Sequence, residues 1–294
     1  MMRVVFYLCL SVFICGFIFG CRRDRVAAES KAYFGPTQTL AEIVAEVNRN
    51  SEALPTLWAS GDFEARVVDE GKRRFVNGDV TLLYRRPDEV RLVGKKDIAG
   101  VVFDAVSTPE RYWLIVKGET DTMWHGSVDY LDRIDPKQIP IRPDVLVEIL
   151  AVERIDPNLL QPPVPTMRFN NDADAYMLTF NVRLADRWAV RKEVWYDRQT
   201  KLPRMVLLFD EHGRIVVRAY LSNHRAVETE AAQGQRPRVA TRYQVFFPDT
   251  GTTMRIDLED LALSRNRAPS NGTFAFPTNP GVSRQINLDE QARP

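Results

Sequence analysis

From Trp58 to Glu259 the chain returns again and again to one pattern, apolar residues at every second position in short runs. Val80, Leu82 and Tyr84 alternate with Asp79, Thr81 and Leu83, and Leu178, Phe180 and Val182 with Thr179, Asn181 and Arg183. Val190 and Val194 alternate with Arg191 and Glu193. Met205, Leu207 and Phe209 follow, then Ile215, Val217, Ala219 and Leu221, then Tyr243, Val245 and Phe247, then Met254, Ile256 and Leu258. A period of two puts one apolar and one polar row on opposite faces of a strand. Short links read as hairpin turns: Asn77-Gly78, Arg86-Pro87-Asp88, Asp197 to Thr200, Glu211-His212-Gly213 and Asp249-Thr250-Gly251. No strand–helix–strand alternation is visible, so a mainly β chain with an antiparallel sheet is expected.

Two stretches keep a helical period instead. Thr39 with Glu42 fits a capping box, and Leu40, Ile43, Val44 and Val47 form a stripe opposite Glu42, Glu46, Asn48 and Arg49, ending before Pro55. Pro143 suits a first helical position ahead of Val145, Leu146, Ile149 and Leu150. Gln161 to Pro165 and Glu228 to Arg238 read as loops. Roughly ten one-sided strands make a sheet that must curl, with its apolar face in need of cover. The expected architecture is a strongly curved antiparallel sheet or half-open β-barrel, with helices over the opening.

The N-terminus has its own logic. Arg3, an apolar stretch from Val4 to Gly20 and then Cys21 match a secretory signal peptide cleaved before a cysteine that is lipidated. An uncleaved membrane anchor is the other reading of this stretch, which is at the lower edge of spanning length. Both place the rest of the chain outside the cytoplasm. The expected division is signal peptide 1–20, lipidated cysteine and flexible tether 21–38, binding domain 39–283 and tail 284–294. Cys9 and Cys15 go with the signal, which leaves the exported domain without a thiol for a disulfide, a metal or catalysis. Arg3 is the signal's only charge, so the mature part balances 39 basic against 39 acidic side chains. That balance gives no electrostatic case for nucleic acid.

Catalytic patterns are not found. His125, His212 and His224 are scattered, and His212 falls in a turn. Asn170 to Asp174 has oxygen-rich spacing without the rest of a calcium loop, and reads as a solvated hairpin turn. Asp257 and Glu259 sit on the polar phase of a strand. Trp58, Trp113, Trp124, Trp188 and Trp195 read as core or rim aromatics. The chain is therefore expected to be non-enzymatic, with no cofactor and no metal.

The run Gly78-Asp-Val-Thr-Leu-Leu-Tyr-Arg-Arg-Pro-Asp-Glu-Val-Arg-Leu92 resembles the early hairpin of the LolA/LolB family of lipoprotein carriers and receptors. Ile98-Ala99-Gly100 followed by Val101 to Ser107 is similar to its continuation, and Gly272-Thr-Phe-Ala-Phe-Pro-Thr-Asn-Pro-Gly-Val282 to its closing segment. The resemblance spans about residues 39–283. It implies a half-open antiparallel barrel lidded by helices, an apolar cavity for acyl chains, and a lid contact from Arg86, the arginine before the turn proline.

The expected function is a lipid-anchored, non-catalytic envelope protein that binds acyl chains of lipoproteins or another lipid, in lipoprotein sorting to the outer membrane. Expected partners are the membrane itself, through the N-terminal lipid (palmitate or a similar chain), the bound lipid, and a periplasmic carrier protein. The cavity candidates are Val80, Leu82, Tyr84, Leu92, Phe103, Leu178, Phe180, Val194, Leu207, Val217, Val245 and Ile256. The alternative is an envelope stress sensor or structural lipoprotein that uses the same fold to bind protein. Cavity size separates the two: an apolar pocket below about 300 Å³, the lower bound for ordinary ligand sites, favours protein binding. Arg22 after the cysteine, in place of aspartate, resembles lipoproteins released to the periplasm-facing side of the outer membrane.

Overall fold

The capping box forms as read. Thr39 N–H donates to Glu42 Oε2 at 2.7 Å and Glu42 N–H to Thr39 Oγ1 at 3.4 Å, opening helix α1 (Leu40–Glu52). The computed structural model describes residues 35–69, 72–118, 120–133, 138–230, 232–263 and 269–292. The signal peptide with Cys9 and Cys15, the lipidation site Cys21, Arg22 and the tether up to residue 34 lie outside the described residues. Among the described residues no helix is long and apolar enough to cross a membrane. Ile43, Val44 and Val47 of α1 are buried, each worth about 1.5–3 kcal/mol of transfer free energy. Asn48, expected on the polar side, is buried with them.

A long hairpin follows, β1 (Thr56–Asp69) and β2 (Lys72–Arg85), in continuous register from Thr56↔Arg85 to Asp69↔Lys72. The chain then meanders through β3 (Glu89–Lys96), β4 (Gly100–Ser107), β5 (Arg111–Val116) and β6 (Thr122–Ser127). Helix α2 (Val145–Leu150) precedes a second meander of β7 (Val164–Asn170), β8 (Ala175–Arg183), β9 (Trp188–Asp197), β10 (Pro203–Phe209) and β11 (Ile215–Ser222). A small ribbon of β12 (Arg225–Ala226) and β13 (Arg238–Val239) leads to β14 (Arg242–Phe247) and β15 (Thr252–Ala262). The end of the chain supplies β16 (Arg284–Asn287) and a single turn, α3 (Asp289–Ala292).

Fourteen strands make one sheet, in the order β16-β6-β5-β4-β3-β2-β1-β15-β14-β11-β10-β9-β8-β7. The two meanders meet where β1 pairs with β15, and the edges β7 and β16 do not join, so the sheet is curved but open. Bulges at Ser60/Gly61, Gly94/Lys95, Phe180/Asn181 and Leu208/Phe209 supply local bends. Both helices pack on one face. Against them lies the main core, which includes Leu57, Phe63, Val80, Tyr84, Phe103, Leu178, Val206, Ala219 and Val245.

Four sequence expectations change. Asn77-Gly78 is no turn: both residues lie inside β2, with Gly78 opposite Phe63. A Cβ on Gly78 would stand 2.0 Å from Lys95 O, so the glycine serves a close backbone approach. Within the stretch expected as a tail, β16 (Arg284–Asn287) pairs with β6 in parallel, Ile286 beside Trp124, making the sheet mixed. Val164 and Pro165 belong to β7, an edge strand on which proline's missing N–H is tolerated. The sheet also exceeds the expected strand number. Tyr112, Trp113, Leu114 and Ile115 of β5 are all buried, so that strand carries no alternation.

Those doubly buried strands show what covers the outer face. Val106, Trp113, Ile115 and Met123 form a second cluster under Phe274, with Phe276 and Val282 packed beside it. The segment 270–283 is strapped on by Arg91, whose guanidinium pairs with Asp104 at 2.7 Å and donates to Thr273 O at 2.9 Å. The Arg85 guanidinium sits 5.1 Å above the Phe274 ring and Arg111 5.4 Å above Phe276.

Candidate functional site

The inner face between the two meanders is covered by α2 and its flanks, where Ile139, Ile141, Val152 and every α2 residue except Glu148 are buried. Leu146, Ile149 and Leu150 press onto Leu82, Leu92, Tyr243, Val245, Met254 and Ile256, leaving a void of about 20 Å³. That is room for roughly one water molecule. At this contact the space between α2 and the sheet is filled by side chains.

Eleven of the twelve cavity candidates, namely Val80, Leu82, Tyr84, Leu92, Phe103, Leu178, Phe180, Val194, Val217, Val245 and Ile256, lie in this core. Only Leu82, Leu92, Val245 and Ile256 border the void. Leu207 faces the other way, in register with Arg218 and Glu193, whereas Val206 and Leu208 point inward. The run Met205 to Phe209 is apolar in both phases, so alternation could not choose between them. Trp124 is on the inner face and Trp113 on the outer, Trp58 and Trp195 are half-buried, and Trp188 is exposed.

On the far side of α2 a much larger concavity opens, about 1070 Å³. One wall is the β2–β3 turn with Arg86 and Asp88, the floor is α2 with Val147 and Glu148, and the other wall is the β10–β11 hairpin with Leu208, Asp210, Arg214 and Val216. An apolar strip thus runs between charges of both signs. Asp210 is held by its own turn, accepting from His212 N–H and Arg214 N–H at 2.9 Å, and its carboxyl stays below the usual range. Burial opposes that depression, and the hydrogen bonds to Arg214 and His212 outweigh it.

The contact that holds α2 down comes from Lys192. It sits on the inward row of β9, opposite Phe180 and Leu208, with its side chain only 15% exposed. Its ammonium lies 5.3 Å from the Phe180 ring centre and donates to Glu148 of α2 and, at 2.6 Å, to Glu153 Oε2. Arg86, by contrast, stands half-buried in the cleft wall with its backbone N–H bonded to Pro55 O at 3.0 Å, and among the described residues its guanidinium makes no hydrogen bond to α2. A contact from the sheet to α2 is made by Lys192, a residue not among those expected from the sequence. The signal was present in the sequence as a basic residue between Val190 and Val194, on the apolar phase.

Three carboxyls surround this one ammonium. Burial raises Glu153 to about 7, with the Glu148 charge adding to it and Lys192 opposing. Asp88 is raised by burial and then by Glu148. Burial would lower Lys192, but the charges of Glu148 and Glu153 outweigh it and carry the ammonium above its ordinary range. Both signs move upward because the cluster has more negative than positive groups. The histidines lie apart: His125 stacks edge-on to Phe276 with burial lowering its pKa, His224 is lowered by burial likewise, and His212 is exposed in its turn. Among the described residues no three His, Cys, Asp or Glu side chains gather as a metal site.

No family model and no curated protein matches the sequence. Among solved structures, a DUF1329 family protein from Desulfovibrio piger overlays with a TM-score of 0.50 at 13% identity, covering 81% of this chain and 98% of that one. A LolA superfamily protein from Nitrosomonas europaea overlays at 0.46 and 13% identity, covering 81% of this chain and 99% of that one. At such identities the likeness is one of fold. The strongly curved sheet with helices across its inner face that the sequence led us to expect is the architecture observed, open and not closed into a barrel.

Proposed function

We propose that this is a non-catalytic, lipid-anchored protein of the bacterial envelope that binds lipoproteins, and that it engages their polypeptide part in the open cleft beside α2. The observation that carries this reading is the contrast of volumes, about 1070 Å³ in the charged cleft against about 20 Å³ where α2 meets the apolar face of the sheet. A void beneath α2 far below the roughly 300 Å³ of ordinary ligand sites favours recognition of a protein over storage of a chain of methylenes there. Charges of both signs flanking an apolar strip suit an extended peptide. The sequence resemblance to lipoprotein carriers makes a lipoprotein the first partner to test, and the Gly20-Cys21 junction with Arg22 supports the periplasm-facing leaflet of the outer membrane.

A second reading, acyl-chain binding, is favoured by one specific feature. Helix α2 is only six residues long, and Leu146, Ile149 and Leu150 are what separate Leu82, Leu92, Val245 and Ile256 from solvent on that side. Displacing it would open an apolar trough. An acyl chain leaving water gains on the order of 10 kcal/mol at about 0.8 kcal/mol per methylene, enough to offset such a displacement.

The two readings separate in one titration. An envelope lipoprotein is offered to the domain 36–294 in its acylated form and as a cysteine variant without lipid, and a photo-crosslinker is placed at Arg214 on the cleft rim. Equal binding of the two forms, with crosslinks at Arg214, is expected. Binding that requires the lipid overturns the polypeptide reading in favour of the second. Binding of neither form removes both.

A further inference from the structure

The group beneath α2 has an imbalance that its ion pairs leave unresolved. Lys192 reaches in from β9, Glu148 from α2, Glu153 from the segment after it, and Asp88 from the β2–β3 turn. The other titratable groups facing Glu153 are the phenols Tyr84 from β2 and Tyr196 from β9, with Arg86 facing Tyr84. On the solvent side Arg154 pairs with Glu52 of α1 at 3.0 Å. With every carboxyl ionised, one ammonium meets three negative charges, with Lys192 and Glu153 mostly buried and Glu148 partly exposed on the cleft floor. Repulsion in such a place is weakly screened by salt or solvent.

We propose that Lys192, Glu148, Glu153 and Asp88 form a proton-operated latch that holds α2 closed in mild acid and loosens it as the medium approaches neutrality. With every carboxyl ionised, the closed state carries two more negative charges than Lys192 neutralises, on Glu153 and Asp88 beside the Lys192–Glu148 pair. A proton on Glu153 removes one of those charges from beside Lys192 while the Lys192–Glu148 pair stays intact, leaving Asp88 on the cleft wall. With α2 lifted, Glu153 is in water and returns toward its ordinary value of 4.5, whereas closed it titrates near 7. The closed state therefore holds the proton more tightly, so closure is favoured below 4.5 and weakened as pH rises toward 7, after which the effect levels off. The latch concerns how the cleft floor is held and assumes nothing about what the cleft binds.

Hydrogen exchange of the α2 amides, corrected for the pH dependence of intrinsic exchange, tests it without any ligand. In the unmodified protein, protection of Leu146 to Ala151 is expected to fall at least tenfold between pH 5.5 and 8.5, while α1 stays protected as an internal reference. Glu153→Gln is expected to keep α2 protected across the range. Should that variant lose α1 protection as well, Glu148→Gln gives the second reading, with the midpoint displaced to lower pH. Constant α2 protection in the unmodified protein, an undiminished fall in Glu153→Gln, or an unmoved midpoint in Glu148→Gln would each overturn the latch.

Discussion

Asn48 and Ile155 hold each other by two hydrogen bonds, Asn48 Nδ2 donating to Ile155 O at 2.8 Å and Ile155 N–H donating to Asn48 Oδ1 at 2.8 Å. The side-chain amide imitates a strand neighbour, and ties α1 to the segment that returns from α2. Ser51 adds a third tie by donating from Oγ to Glu153 O at 3.0 Å. The two helices that cover the inner face are thus joined to each other as well as to the sheet.

Asn48→Ala leaves one buried donor and one buried acceptor without partners. At about 1–3 kcal/mol for each orphaned group, a loss of about 2–6 kcal/mol is expected in urea unfolding. A change under 0.5 kcal/mol would mean that water replaces the amide and that the segment after α2 is not tied through it.

Lys192→Met strands Glu148 and Glu153 beside each other without their cation. Breaking a buried pair from one side costs about 3–5 kcal/mol. The deficit should depend on pH with a definite sign. Glu153 is raised in the folded protein, so its contribution is present in acid and lost as pH rises through about 7. The variant is accordingly expected to approach the stability of the parent protein at pH 5 and to differ most at pH 8. Thermal unfolding of both proteins at the two pH values is the measurement, and an equal deficit at both would refute the charge account.

The sequence was informative where one period dominates. Thr39 with Glu42 located α1, and the alternation from Val80 to Tyr84 or Tyr243 to Phe247 assigned both strand and face. It was silent where two periods coincide: Val206, Leu207 and Leu208 are all apolar, and only register across β9 and β11 decides which one points inward. Tyr112 to Ile115 defeated alternation for the opposite reason, because a strap from residues 270–283 buries their outer side as well. Lys192 was hidden by expectation. A lysine on an apolar row looks like an error in the pattern until α2, far away in sequence, brings Glu148 to meet it.

Gly78→Ala tests the close approach that resembled a turn. Its Cβ would need to displace Lys95 O from 2.0 Å, and that oxygen belongs to backbone, which cannot swing away. A cost of about 1–3 kcal/mol or more is expected, as for other overpacking changes. If Gly78→Ala unfolds at the same denaturant concentration as the parent, β2 and β3 are not in the contact described.

Phe274→Ala tests the strap. The ring is 5% exposed and caps Val106, Trp113, Ile115 and Met123, so truncation should cost about 3–5 kcal/mol. Phe276 is only partly buried and its truncation should cost less. A reversed order would show that the outer cluster is sealed chiefly by Phe276 with Arg111.

The last prediction concerns attachment, which rests on residues before the described domain. If Cys21 is acylated and the chain is then cleaved before it, two or more chains give stable membrane attachment where a single chain gives only marginal binding. The mature protein should then remain with membranes in high salt and leave them in detergent. Cys21→Ala should block that processing, so its N-terminal mass should retain residues 1–20 and carry no lipid. An uncleaved anchor would behave differently: the substitution would change neither processing nor membrane retention, because the apolar stretch from Val4 to Gly20 would still hold the chain. Fractionation of both proteins with mass measurement of their N-termini decides between the two, and a variant cleaved at the same bond with the mass of the parent would overturn lipidation.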